Sequence, residues 1–300
     1  MAHGAPNSED DIEPFLREIM KGRQSKPDDM QDLKERYRRI GGCSPLLNIT
    51  MSQASALEEA LNSESLDIRV YFGMKHWYPY IKEAVSKIVR DGFRRVVALV
   101  LAPHYSRISI SGYRQAVDST PEASQNDLEI DFVESWYDHP LFHLAVAEKI
   151  GGTLKEFPTS VRKNVEVVFT AHSLPERIVQ DNDPYPEQLE VSCQRVADLL
   201  EMGCWSLAYQ STRHTGEKWL GPNVLEVLQE LSLRANAFGG NVLIVPIGFV
   251  ADHLETLYDL DVEAQVFARA RGLTLKRTES LNTSPTFISA LADIVGKRLL

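Results

Sequence analysis

The chain has 300 residues, of which 43% are hydrophobic and 25% are charged, and its formal net charge is −10. This composition is typical of a globular protein with one large or two medium cores. The acidic balance argues against binding to nucleic acid or anionic lipid, and no apolar run approaches the ~18–20 residues that span a bilayer. The N-terminus does not resemble a secretion or transit signal, and the three cysteines lack the CxxC spacing of a disulfide framework, zinc ribbon or iron–sulfur cluster. We therefore expect a monomeric, cytoplasmic protein.

The first half of the chain alternates apolar runs with an amphipathic stretch. Asp67–Met74 and Arg95–Ala102 are short and apolar, as buried strands are, and Leu128–Trp136 is a further strand candidate. Pro79–Arg90 has helical periodicity between a proline and Gly92, which predicts a helix.

The same alternation restarts in the second half. Three strands and four helices are predicted there. The strands are Val165–Thr170, Trp205–Tyr209 and Val242–Val250, and the helices are Pro186–Met202, Asn223–Leu233, Asp252–Arg271 and 284–300. Strand–helix alternation favours right-handed crossovers and mostly parallel sheets. The sequence therefore predicts an α/β fold with two similar doubly wound halves, residues 1–150 and 151–283, with the last helix packing back on the first half.

Three of the apolar strands lead into a histidine. His104, His172 and His253 follow the strands that begin near residues 95, 165 and 242, and Glu255 follows the third histidine by two positions. Ligands of open parallel sheets bind outside the carboxyl ends of the strands. A single histidine at the end of a strand is usually a core or surface residue, but three histidines at the carboxyl ends of three strands favour a ligand-binding site.

Three carboxylates follow at a spacing of four residues: Glu255, Asp259 and Glu263. In an α-helix this spacing places them in a row on one face, about 6 Å apart. The row is either an ordinary solvated face or a ladder that passes a divalent cation inward, and its first member lies beside the predicted histidine site.

Six segments of the sequence resemble the ferrochelatase family. They are RYRRIGGCSPL (36–46), LAPHYS (101–106), VESWYDHP (133–140), VVFTAHSLPERI (167–178), YQSTRHTGEKWLGP (209–222) and PIGFVADHLETLYDLDVE (246–263). The resemblance implies two flavodoxin-like halves with a porphyrin cleft between them, and an enzyme of heme biosynthesis that inserts ferrous iron into a porphyrin. Iron is then a substrate, and no cofactor is expected to be bound permanently.

The resemblance also implies residue roles. Insertion needs a base for the two pyrrole protons and weak ligands that release the iron, and an imidazole with one carboxylate meets both needs. His172 and Glu255 are the expected catalytic and metal-handling pair, with Asp259 and Glu263 as possible ligands of a second cation such as Mg²⁺. His3 replaces a tyrosine of related enzymes and is a possible axial iron ligand. Expected porphyrin contacts are Lys21, Arg36, Tyr37, Ser44 and Tyr113.

Within the family, the chain resembles the branch of Gram-positive-type bacteria that acts on coproporphyrin III. Three alternatives stay open: a protoporphyrin IX ferrochelatase, a porphyrin carrier without catalysis, and a cobalt- or nickel-inserting chelatase of the same fold, against which the long segment 253–263 argues. Related enzymes also carry roughly ten further N-terminal residues that form a first strand. That strand is missing here either because the start of the chain is misassigned or because the chain is a damaged copy, and we expect the first of these.

Overall fold

The computed structural model describes residues 1–20, 27–62, 67–125, 128–212 and 216–299. These residues form two compact units, Met1–Trp136 with Asn282–Leu300, and Tyr137–Leu281. The division falls after Trp136. The helix Pro140–Leu154 therefore belongs to the second unit, where it packs on the helix Tyr185–Leu199 and the strand Asn241–Val245. The last helix, Pro285–Leu299, belongs to the first unit.

The first unit contains two parallel strands and most of the helices of the first half of the chain. Its strands are β1 (Arg95–Leu99) and β2 (Glu129–Val133). Its α-helices are α1 (Ile12–Ile19), α2 (Pro27–Arg39), α3 (Leu46–Asn62), α4 (Ile81–Arg90), α5 (Arg107–Asp118), α6 (Pro121–Gln125) and, from the end of the chain, α13 (Pro285–Leu299); Glu9–Asp11 is a 3₁₀ turn.

Strand β1 pairs with β2 in parallel, with Arg95 opposite Glu129. Helices α4 and α5 supply a buried cluster that includes Ile81, Val85 and Ile110. The prediction of a strand over Asp67–Met74 is wrong in this structure, where residues 67–73 form no ladder. A strand needs a partner strand along its whole length. In this structure the pairing of the segment with the first residues of the chain is confined to the bridge between Ala2 and Met74.

The second unit is built on a parallel sheet whose described strands have the order β4–β3–β5–β6. The strands are β3 (Glu166–His172), β4 (Ser206–Gln210), β5 (Asn241–Val245) and β6 (Thr274–Arg277). The α-helices are α7 (Pro140–Leu154), α8 (Arg177–Gln180), α9 (Tyr185–Leu199), α10 (Val224–Leu233), α11 (Ala235–Phe238) and α12 (Gln265–Arg269), with a 3₁₀ turn at Arg162–Asn164 and a π-helix at Glu255–Ala264.

Burial on both faces explains the continuous apolar runs of this sheet. All five residues of β5 are buried, as are Val167–Ala171 of β3. Helices α10 and α12 cover the sheet through Leu228 and Ala268. Asn223 caps α10 by accepting a hydrogen bond from the Leu225 N–H at 2.8 Å. The parallel α/β architecture expected from the sequence is confirmed.

The helix that follows β5 differs from the prediction. The sequence predicts one α-helix over Asp252–Arg271, but residues Glu255–Ala264 form a π-helix and α-helical bonding is confined to Gln265–Arg269. A π-helix bonds residue i to residue i+5, and such segments are frequent at functional sites. Among the described residues, no helix is both long enough and apolar enough to cross a membrane.

Candidate active site

The carboxyl ends of three neighbouring strands of the second unit supply the site. Strand β3 ends at His172, β4 ends at Gln210, and β5 leads through a loop to His253 and Glu255. Gln210 is the register partner of His172. Because parallel strands end at the same edge of a sheet, three sequence segments meet here.

Glu255 lies between two imidazoles. Its Oε1 is 3.5 Å from Nε2 of His172, and its Oε2 is 3.7 Å from Nε2 of His253. The side chains of Glu255 and His172 are 30% and 27% exposed, so the group is partly covered but reachable from solvent. The structure therefore brings together the pair that the sequence analysis selected and adds His253 to it.

Both imidazoles are oriented by the main chain. Nδ1 of His172 is hydrogen-bonded to the carbonyl of Ser173, and Nδ1 of His253 to the carbonyl of Ala251 at 3.1 Å. A carbonyl can only accept, so Nδ1 carries the proton in each ring and Nε2 holds the lone pair when the ring is neutral. This is the arrangement in which metal-ligating histidines are usually held.

The charge of Glu255 is stabilised by these neighbours. Burial by itself raises the pKa of this carboxyl, but the neighbouring imidazole of His172, and after it that of His253, hold it well below its usual range. Glu255 is therefore ionised at neutral pH and can exchange a proton with either ring.

Two contacts hold His172 in place. The hydroxyl of Tyr185, the first residue of α9, donates to the His172 carbonyl at 2.9 Å. Tyr185 is buried, and burial raises the pKa of its hydroxyl, which keeps it a donor. The ring of Trp219 lies 6.5 Å from the His172 ring.

Gln210 holds the beginning of the π-helix. Its Nε2 donates to the Glu255 carbonyl at 2.8 Å, while its buried Oε1 has no hydrogen-bond partner among the described residues. On the other side, Thr256 accepts from the His253 N–H at 3.0 Å and donates to the His253 carbonyl at 3.0 Å. These side-chain bonds fix the turn from which Glu255 projects.

An ion-pair network fixes the same turn from the end of β6. Arg277 donates to Asp252 at 2.9 Å and to both oxygens of Asp261 at 2.7 and 2.6 Å. Asp252 also accepts from the Ser280 hydroxyl at 3.0 Å. Asp252 directly precedes His253, and Asp261 belongs to the π-helix, so one guanidinium connects both sides of the Glu255 turn.

The predicted acidic row lies along the π-helix, and its middle member is the most buried. Glu263 is exposed, Asp259 is 8% exposed, and Glu255 is intermediate. Asp259 accepts a hydrogen bond of 2.5 Å from Ser211, which follows β4. In the described part of the chain, no three His, Cys, Asp or Glu side chains stand close enough to form a ready metal cage.

The expected porphyrin contacts lie in the first unit. Tyr37 and Ser44 are buried, and the Ser44 hydroxyl accepts from the Leu46 N–H at 3.3 Å. Arg36 is paired with Asp32 at 2.8 Å. Lys21 lies outside the described residues.

Tyr113, the remaining residue of that set, is 6% exposed, and Nζ of Lys75 lies 4.5 Å above its ring. Burial raises the pKa of the Tyr113 hydroxyl. His3 is exposed, and its ring centroid is 4.7 Å from that of His76. Its Nδ1 is bonded to the Gly4 carbonyl at 3.0 Å, so its lone pair is on Nε2 in the neutral ring.

Comparison with known proteins identifies the family. The ferrochelatase family model matches residues 1–299. The chain belongs to the ferrochelatase family. It is 43% identical over 296 residues to a ferrochelatase of Herpetosiphon aurantiacus, covering 98% of this chain and 96% of that protein. It is 40% identical over 302 residues to the coproporphyrin III ferrochelatase of Oceanobacillus iheyensis, covering 99% and 95% of the two chains.

A third relative of this ferrochelatase, the coproporphyrin III ferrochelatase of Bacillus subtilis, is 40% identical over 303 residues, covering 100% of this chain and 96% of that protein. Among solved structures, SirB from Bacillus subtilis with Fe³⁺ superposes with a TM-score of 0.56 at 14% identity, covering 82% of this chain and 88% of that one. This likeness shows a shared chelatase fold. The family, the fold class and the metal-chelatase nature predicted from the sequence are confirmed.

Sequence reasoning missed three residues that organise the site. His253 was noticed at a strand end but was given no role, although its spacing of two from Glu255 was a usable signal. Gln210 and Tyr185 carried no signal, because their contacts with Glu255 and His172 bring together residues 45 and 13 positions apart in the chain.

Proposed function

We propose that this protein inserts ferrous iron into coproporphyrin III, with His172 as the main acceptor of the pyrrole protons and Glu255, assisted by His253, as the group that delivers the iron. The observation that carries this proposal is the position of the Glu255 carboxylate between the Nε2 atoms of two histidines whose Nδ1 atoms are tied to backbone carbonyls.

The reaction breaks two pyrrole N–H bonds and forms bonds from the four ring nitrogens to Fe²⁺, so two protons leave as a doubly charged ion enters. The total charge of the reacting groups does not change. A neutral imidazole can accept one of these protons near neutral pH, and His172, whose side chain is 27% exposed, can release it to solvent before it accepts the second. The ionised Glu255 beside it stabilises the imidazolium that results.

The same residues suit the handling of iron. Imidazole and carboxylate are both ligands of Fe²⁺, and two histidines with one carboxylate are a known set for this ion. The Glu255 oxygens lie 3.5 and 3.7 Å from the Nε2 atoms of His172 and His253, so the three groups are not closely packed around one point. This spacing supports metal binding that is weak enough to release the metal to the macrocycle. We propose that Asp259 and Glu263, the next two carboxylates of the row, hold a second cation such as Mg²⁺ or attract incoming iron.

Coproporphyrin III is proposed because the Oceanobacillus and Bacillus relatives are named for it. The test is anaerobic insertion with equal concentrations of coproporphyrin III and protoporphyrin IX in one vessel, followed by separation of the products. Preferential formation of the coproporphyrin product supports the proposal. Preference for protoporphyrin IX contradicts the choice of substrate, and binding of both without any metalated product indicates a carrier.

His172→Ala tests the role of the imidazole in the same assay. We expect insertion to fall by about 100-fold or more while porphyrin binding, followed by the shift of the Soret band, is retained. His143→Ala is a matched control, since this buried histidine lies in α7 and bonds to the Tyr137 carbonyl. Normal insertion by His172→Ala would remove His172 from the mechanism.

A further inference from the structure

Two side-chain oxygens near the site are buried and have no hydrogen-bond partner among the described residues. They are Oγ1 of Thr170, a residue that is 0% exposed, and Oε1 of Gln210, a residue that is 2% exposed. Leaving a buried polar atom without a hydrogen bond is costly, and nearly all such atoms in folded proteins bond to protein or to ordered water. The two oxygens therefore indicate a further binding partner inside the second unit.

The orientation of the Gln210 amide is fixed by the other end of the group. Its Nε2 donates to the Glu255 carbonyl at 2.8 Å, and a carbonyl oxygen can only accept. An exchange of the amide nitrogen and oxygen would place two acceptors against each other. The buried atom without a partner is therefore the amide oxygen, which only a hydrogen-bond donor can satisfy.

Thr170 and Gln210 lie on the same face of two neighbouring strands. Val168 of β3 and Ala208 of β4 belong to the buried apolar cluster that also contains Leu260 of the π-helix. Thr170 follows Val168 by two positions and Gln210 follows Ala208 by two, and side chains two positions apart in a strand point to the same face. Both polar side chains therefore lie between the sheet and the π-helix, one layer nearer to the carboxyl ends of the strands.

The separation of the two residues suits one small bridging molecule. Thr170 is the register partner of Ala208, so Thr170 and Gln210 are diagonal neighbours. With strands about 4.8 Å apart and a rise of about 3.3 Å per residue, their Cα atoms are about 8 Å apart. Because the glutamine side chain is long, a molecule that bonds to each oxygen at about 2.8 Å can span the remaining gap.

The chemistry of the two oxygens favours water as that molecule. Both oxygens are neutral, and two neutral ligands are too few for a cation such as Ca²⁺ or Mg²⁺, which takes six or more oxygen ligands. A buried water molecule needs two to four polar partners. Water can donate to the Gln210 oxygen and form a second hydrogen bond with the Thr170 hydroxyl, which is both a donor and an acceptor.

We propose that one water molecule is bound between Thr170 and Gln210 and that Thr170 is thereby a positioning residue for Glu255. Hydrogen bonds connect the Thr170 hydroxyl to the water, the water to the Gln210 amide, and the amide to the Glu255 carbonyl. The effect on iron handling rests on the proposed function, whereas the water site does not.

The sign of a stability change tests whether the water is bound. The full chain is compared with Thr170→Val, because valine keeps the shape of threonine and removes the hydroxyl. With water bound, this substitution removes a hydrogen bond, and the unfolding temperature should fall by about 2–4 °C. Without water, the substitution removes a buried hydroxyl that bonds to nothing, which is neutral or stabilising. An unchanged or higher unfolding temperature would therefore overturn the proposal.

The double variant of Thr170→Val with Gln210→Leu tests whether the two oxygens share the water. In the Gln210→Leu protein the water has already lost one partner, so Thr170→Val should lower the unfolding temperature by less than half as much as in the unaltered chain. Thr153→Val is the matched control, since Thr153 is 9% exposed and its hydroxyl donates to the Lys149 carbonyl of its own helix at 3.1 Å. The control should have the same effect in both backgrounds. The same effect of Thr170→Val in both backgrounds would overturn the shared water.

Iron insertion tests the positioning role. Thr170→Val should raise the KM for Fe²⁺ by about tenfold while the KM for porphyrin is unchanged. Thr170→Ser keeps the hydroxyl, so it should keep the normal KM for Fe²⁺ even though the loss of a buried methyl group lowers the unfolding temperature. A normal KM for Fe²⁺ in Thr170→Val, or a raised one in Thr170→Ser, would refute the positioning role. A wild-type protein that inserts no iron would contradict the proposed function instead, and the unfolding temperatures would still test the water site.

Discussion

Arg277 offers a sharp test of how the Glu255 turn is held. Its side chain is 8% exposed and makes charged hydrogen bonds with Asp252, which is 13% exposed, and with Asp261. Burial works against the charge of the guanidinium, but Asp261 and Asp252 raise the pKa of Arg277. The substitution Arg277→Met keeps most of the apolar volume and removes every one of these bonds. Asp252 then keeps its hydrogen bonds from the Ser280 hydroxyl at 3.0 Å and the Ser280 N–H at 3.4 Å but loses the guanidinium.

The cost follows from the uncompensated charge. Removing one partner of a buried ion pair typically costs about 3–5 kcal/mol, and for a unit of this size we expect the unfolding temperature to fall by about 10 °C or more. Iron insertion should fall as well at temperatures where the protein is folded, because Asp252 adjoins His253. Differential scanning calorimetry and the insertion assay measure the two effects.

Lys276→Met is the matched control. Lys276 adjoins Arg277 and pairs with Glu156 at 2.9 Å, but the two side chains are 32% and 59% exposed. Exposed pairs contribute about 0–1 kcal/mol, so this change should be nearly neutral. The double variant Arg277→Met with Asp252→Asn should recover part of the lost stability, since it removes the stranded charge. If Arg277→Met cost no more than Lys276→Met, the reasoning about this network would be refuted.

Four further predictions concern the site and the N-terminus. Glu255→Gln should lower the insertion rate by about 100-fold or more in a stopped-flow assay with porphyrin binding kept, and an unchanged rate would make the acidic row a surface feature. Tyr185→Phe should cost about 1 kcal/mol in denaturant unfolding and slow insertion, because the His172 carbonyl loses its donor; full activity would show that the bond does not position the imidazole. His3→Tyr should shift the Soret band of the product complex, whereas an identical spectrum would mean that residue 3 does not touch the metal. The Met1 amine has a pKa of about 5 in the folded state and 8.0 when unfolded, so the unfolded state binds more protons between these two pH values. The free energy of unfolding should therefore rise by up to about 4 kcal/mol from pH 5 to pH 8, and an N-acetylated chain should lack this rise.

The strands of the second unit could be predicted because burial on both faces leaves a direct mark on the sequence. The run before His172 and the run before His253 are apolar at successive positions, and their carboxyl ends are where ligands bind in parallel sheets. The pairing of His172 with Glu255 followed from that topology together with the family resemblance.

Other features could not be predicted because they depend on partners distant in the chain. The π-helix at Glu255–Ala264 keeps the spacing of apolar residues close to that of an α-helix, so periodicity does not distinguish the two. The Asp67–Met74 segment has the composition of a strand, but a strand requires a ladder with a partner strand. In this structure the bridges of the segment are confined to Met74, which pairs with Ala2 and Tyr80. Gln210 and Arg277 contact the Glu255 turn from other strands, and such contacts between distant residues cannot be predicted from a single sequence.

The position of a bound metal ion tests the central claim most directly. Crystals of the protein soaked with Fe²⁺ under anaerobic conditions, or with Zn²⁺ as a stable probe, should show an anomalous peak about 2.0–2.2 Å from both Nε2 of His172 and an oxygen of Glu255. The same soak of the Glu255→Gln variant should lose or strongly weaken that peak. A metal ion bound elsewhere in the wild-type crystals, with His172 and Glu255 remaining in contact with each other alone, would contradict the account.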